Sequence, residues 1–97
     1  MVDEPQSILI SSLKGRVSKL LGARITLPIE EISSLEEIYY AIDDLILSNK
    51  KVDDFNRFKK DLTIYSKILK SSKKHYIKEH ILPLINKIST RKWEGVD

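Results

Sequence analysis

Leu9, Ile10, Leu13, Val17, Leu20 and Leu21 return at intervals of three and four residues. That spacing puts them on one face of a helix and predicts an amphipathic element of about four turns. Asp3 as cap and Pro5 in the first turn mark its beginning. Gly22 marks its end. Gly15 weakens it by about 1 kcal/mol relative to alanine. A second apolar face runs through Leu35, Ile38, Tyr39, Ile42, Leu45 and Ile46. Ser34 with Glu37, and Ser33 with Glu36, have the spacing of a capping box, so this helix is expected to start there. It should stop near Ser48 and Asn49, with Lys50 and Lys51 at its negative end.

Between these two helices the pattern is irregular. The residue before a proline avoids helical angles, so Thr26-Leu27-Pro28 reads as a bend, with at most a short turn over 29–32. This stretch is expected to be a connector whose Ile25, Leu27, Ile29 and Ile32 plug the end of a bundle.

Residues 53–88 hold the rest of the pattern and eight of the 13 lysines. After a turn and cap at Val52-Asp53-Asp54, a third helix carries Phe55, Phe58, Leu62, Tyr65 and Leu69 on one face. At about 100° per residue, an unbroken continuation would turn Ile77 and Ile81 to the lysine side. Taken separately, Ile77, Ile81, Leu84, Ile85 and Ile88 form a face of their own. A break near residues 71–74 and a fourth helix follow from that phase mismatch. Pro83 falls inside the fourth helix, off its apolar face, and is expected to bend or split it. No strand-like alternation and no hairpin turn signal occurs. The expected fold is all-α: a four-helix, antiparallel, bundle-like single domain over 1–97, the last helix bent at Pro83 and a polar tail over 90–97.

Composition narrows the class. With 97 residues, 41% hydrophobic and 32% charged, the chain has enough apolar content for one modest core. It has no cysteine, so neither a disulfide framework nor a thiolate zinc site is expected. Fourteen isoleucines and many lysines, with little Gln or Met, follow the trend of hyperthermophile proteins, and an AT-rich genome gives much the same bias. No apolar run approaches the roughly 20 residues of a membrane span, and the acidic N-terminus is not a secretory signal. A cytoplasmic, soluble protein is the expectation.

Charge then separates the halves. Glu30, Glu31, Glu36, Glu37, Asp43 and Asp44 make the second helix acidic, whereas only Asp61 and Glu79 offset the lysines between Asp54 and Glu94. Such a dipole suits docking by complementary charge. Tyr40 and Leu47 lie off the core face of the second helix, on one line, beside Asp43 and Asp44. Trp93, the single tryptophan, sits in the polar tail, placed to anchor in a partner's pocket or to cover the bundle end. These five are the candidate protein-binding residues. Lys60, Lys67, Lys70 and Lys74 share a narrow sector if the third helix reaches Lys74. With Lys73 and Lys78, they are the candidate nucleic-acid contacts; the simpler alternative is a solvated helix face. Net charge of +3 permits nucleic-acid binding without requiring it.

Chemistry is thin. His75 and Glu79 are four apart and offer two metal ligands, which do not make a site; no metal and no cofactor is expected. There is no glycine-rich phosphate loop and no nucleophile motif, so no catalytic residue and no small-molecule substrate is expected. A helix-turn-helix is disfavoured because the third helix opens on Asp53-Asp54, a poor end to present to bases.

The Ile/Lys-rich text of residues 67–78, Lys67-Ile68-Leu69-Lys70-Ser71-Ser72-Lys73-Lys74-His75-Tyr76-Ile77-Lys78, resembles proteins of Sulfolobus-type archaea. In length, composition and helix content, the whole chain is similar to the small accessory subunits that bind the replicative family-B DNA polymerase there. The resemblance carries over no functional residue. It implies an accessory subunit that docks on a larger protein, a DNA polymerase, and meets DNA through that partner or its own lysines.

Overall fold

A computed structural model describes residues 5–23, 26–48 and 52–92. Within these residues the chain forms α1 (Gln6–Gly22), α2 (Ile29–Leu47), α3 (Val52–Leu69) and α4 (Leu82–Ser89), with a π-helical turn, Ile77–Ile81, leading into α4. No strand occurs among the described residues. The fold is all-α and bundle-like, as the periodicity predicts.

Proline starts both of the first two helices. Pro5 and Pro28 have nearly the same backbone angles, φ −57° with ψ 145° and 147°. The Pro5 carbonyl accepts from the N–H of Ile8 and Leu9, and the Pro28 carbonyl from Glu31 and Ile32. A fixed φ and no N–H to leave unpaired suit proline to the edge of a helix. Asp3, the expected cap of α1, lies outside the described residues.

The start of α2 corrects the capping-box expectation. The helix begins at Ile29, and Ser34 lies buried inside it, its Oγ donating to the Glu30 carbonyl at 2.8 Å. The buried face of α2 simply continues backward through Ser34 and Glu31, polar residues that conceal the apolar phase. The connector is therefore shorter than expected, and Ile29 does not plug the bundle, being 76% exposed. Leu27 does pack against the core. Ile25 lies outside the described residues.

One core joins all four helices. Leu13 and Val17 of α1, Leu35, Ile38 and Ile42 of α2, and Phe55, Leu62 and Leu69 of α3 are essentially inaccessible, as are Ile77, Ile81 and Ile88. Each helix packs on the one before it, and α4 closes back on α1. Long-range contacts give the directions. Gln6 at the α1 start donates to the Lys92 carbonyl, while Arg16, further along α1, reaches the His80 carbonyl. Thus α1 and α4 run antiparallel. Lys14 meets Asp43, and Gly22 and Leu21 lie beside Glu36, so α1 and α2 do likewise.

The expected break is present. α3 ends at Leu69, and a turn and an extended link over 70–74 precede the next helical residues. Ser72, 1% exposed, accepts the Lys74 N–H at 3.0 Å, a bond that fixes the turn of the link itself. The expected bend at Pro83 takes the form of the π turn, in which the Leu82 N–H bonds the Ile77 carbonyl. Pro83 directly follows the π turn in a helix that runs without a gap from His75, and the wider turn takes up the bond its nitrogen cannot make. The wider turn accommodates the proline and keeps both Ile81 and Leu84 buried.

Candidate functional surfaces

α2 carries six acidic residues and no basic one. Its outward side is not wholly polar. Tyr40 is 56% exposed and Leu47 80%. At about 100° per residue, Ile29, Tyr40 and Leu47 fall within about 20° of one line along the helix, spread over roughly 27 Å. Glu36 and Asp44, both exposed, flank that line. Ile46, expected on the core face, is also exposed, about 100° around the helix from that line. Sequence reasoning missed Ile29 because it placed that residue in the connector rather than on the helix.

Beside this ridge is a notch of about 360 Å³ between α1 and α2, walled by Ser18, Leu21, Gly22, Glu36, Tyr39 and Tyr40. Tyr39 and Tyr40 meet edge to face, ring centres 6.2 Å apart, which steadies the exposed ring. Asp43 is differently placed. Its Oδ1 lies 2.6 Å from Lys14 Nζ, and the same ammonium sits 5.3 Å from the Tyr39 ring centre. The bond to Asp43 raises the Lys14 pKa above its ordinary value, against the opposing effect of desolvation. Asp43 thus holds α1 to α2, while Tyr40, Asp44 and Leu47 stay open to solvent. Trp93 lies outside the described residues, as does all of the tail beyond Lys92.

The lysines fall into separate groups. α3 stops at Leu69, so the row from Lys60 to Lys74 is not continuous. Lys60 and Lys67 remain on its outer face, with Ile64 between them exposed. Lys70, Lys73 and Lys74 gather at the α3–α4 link, and Lys78 lies exposed in the π turn. Lys59 is not part of the row: it donates to the Arg91 carbonyl at 2.7 Å and caps the Phe55 ring at 5.1 Å.

No family model, curated protein or solved structure matches the chain. Its surfaces are therefore the guide to function.

His75 and Glu79 form an exposed pair at 2.8 Å. Among the described residues no group of three His, Cys, Asp or Glu side chains is placed to hold a metal ion. No helix among them is long and apolar enough to cross a membrane.

Proposed function

We propose that this chain is a non-enzymatic accessory subunit that docks on a larger protein through the outer side of α2. The observation that carries this reading is the line of Ile29, Tyr40 and Leu47, exposed along an acidic helix with a notch of mixed polar and apolar lining beside Tyr40. Isolated exposed apolar residues are ordinary, but an aligned set flanked by one sign of charge suits a partner of complementary charge. An aromatic next to a notch is the kind of group that anchors an interface. The partner class we favour is DNA-handling machinery, a DNA polymerase in particular. The resemblance of the sequence to polymerase-binding subunits and the lysine groups of α3 and the α3–α4 link support it.

The test is affinity purification of the tagged chain from its native source, wild type beside a Tyr40→Ala/Leu47→Ala double variant. A stoichiometric protein should be retained by the first and lost by the second, with the helical circular dichroism signal unchanged. Equal retention by both removes the docking surface.

The clustering of Lys70, Lys73 and Lys74 at the link favours a second reading, direct nucleic-acid binding by the chain alone. It requires a mobility shift at low salt, with log affinity falling by about 0.9 per phosphate contacted for each decade of salt. Charge reversal at Lys67, Lys70 and Lys74 should weaken it without unfolding the protein. Absence of any shift eliminates this reading.

A further inference from the structure

The sequence offers no small-molecule site, yet the fold builds a cavity of about 430 Å³ between the start of α2 and the α3–α4 link. Leu27, Pro28 and Glu31 form one wall, and Ser72, Lys73 and Lys74 another. The volume lies within the range of about 300–1,000 Å³ usual for small-ligand sites.

Glu31 is the decisive residue. It is only 7% exposed, and its Oε1 is closed off from solvent without a hydrogen-bond donor. A glutamate three residues into a helix ordinarily reaches back to the N–H of the capping residue. Here the capping residue is Pro28, which has no N–H. The fold holds a carboxylate in the cavity wall and supplies that oxygen no partner. A buried acceptor left unpaired is costly, so a donor from outside would be firmly held.

The opposite wall makes the opposite demand. Lys73 and Lys74 call for an anion. Leu27 and Pro28 provide an apolar patch beside Glu31. A fitting ligand therefore has paired donors at one end, an anion at the other and a flat, weakly polar body.

We propose that this cavity binds a guanine nucleotide, free or at the end of a strand, with the base on Glu31 and the phosphate on Lys73 and Lys74. Guanine offers a carboxylate two adjacent donors, its N1–H and its 2-amino group. Adenine offers an amino group beside an acceptor nitrogen, which a carboxylate repels. Because Oε1 is closed off in the free protein, binding requires the carboxylate to turn about its broad terminal torsion into the cavity. Tyr40 and Leu47 lie nine residues or more along α2 from Glu31, over about 13 Å, so Tyr40→Ala/Leu47→Ala should leave this site intact.

The experiment titrates the isotope-labelled full chain with GMP, AMP and inorganic phosphate at low ionic strength, following amide shifts and heats. GMP should move the amides of Glu31 and of Ser72, Lys73 and Lys74, and bind at least about tenfold more tightly than AMP. Glu31→Gln should remove that preference with the helical signal unchanged, and Lys73→Ala/Lys74→Ala should weaken both nucleotides alike. Short oligonucleotides ending in guanine distinguish the two sources: tighter binding than GMP assigns a strand end, weaker binding a free nucleotide. Equal affinity for GMP and AMP, a preference that survives Glu31→Gln, or no binding at all overturns the proposal. So does a lowered unfolding midpoint in Glu31→Gln without guanine preference, since Glu31 would then serve the fold through one of the chain's own lysines.

Discussion

Gly15 lies exposed in the middle of α1, and a methyl group added there would meet no atom within 4 Å. Nothing in the fold requires a glycine at that point. Gly15→Ala should therefore stabilise the protein by about 1 kcal/mol, raising the unfolding midpoint by roughly 4–8 °C in calorimetry. Two isoleucines from the same lysine-rich text should behave oppositely. Ile81 is fully buried, so Ile81→Ala should cost about 2–5 kcal/mol in denaturant unfolding. Ile64 is exposed between Lys60 and Lys67. Ile64→Ala should change stability by about 0.5 kcal/mol or less in the same measurement. Lys14 gives a pH signature. Its pKa is raised in the folded state by Asp43, so the stabilisation is complete below the ordinary lysine range and fades as pH rises through the raised value. The difference in unfolding midpoint between wild type and Lys14→Met should be flat from neutral pH up to about 10 and shrink above it.

At the scale of the element, the last helix shows how one residue is absorbed. A proline in a helix interior costs about 3 kcal/mol, because it breaks a backbone bond and its ring meets a carbonyl of the preceding turn. The π turn over Ile77–Ile81 shifts the backbone bonding just before Pro83 to i→i−5, and the wider turn makes room for the ring. Arg16 donates to the His80 carbonyl at 2.8 Å and ties the widened turn to α1. Pro83→Ala should thus alter stability by less than about 1 kcal/mol in urea unfolding, well short of the interior cost. A gain near the full interior cost would mean that the π turn does not relieve the proline. The phase of the isoleucines was enough to locate the break after α3, because two apolar faces that point in different directions cannot belong to one straight helix. The beginning of α2 was not legible in the same way. Glu31 and Ser34 occupy buried positions, and an apolar pattern interrupted by polar residues reads as loop.

For the whole molecule, the arrangement of charge matters more than its sum. The radius of gyration is 13.1 Å, that of a compact domain of this length. On such a body the acidic α2 ridge and the lysines of the α3–α4 link present fields of opposite sign. If a basic partner docks on the ridge, its association rate should fall steeply with ionic strength while dissociation changes little. Stopped-flow mixing of the chain with the purified partner at low and high salt would measure this. A rate insensitive to salt would mean that Tyr40 and Leu47 act without electrostatic guidance.

Sequence by itself determined the class of fold, the helix faces and the break before the fourth helix, since each depends on local periodicity and on the backbone chemistry of proline and glycine. It also marked Tyr40 and Leu47, because a residue out of phase with its own helix must lie off the core. What surrounds each residue came only with the tertiary structure. That Asp43 pairs with Lys14, that Ile29 extends the exposed line and that the lysine row divides at Leu69 depend on how the helices meet. The enclosure of Glu31 belongs there as well. Its missing partner follows from a proline three residues before it, but its burial, and its place across a cavity from a distant link of the chain, are properties of the assembled bundle.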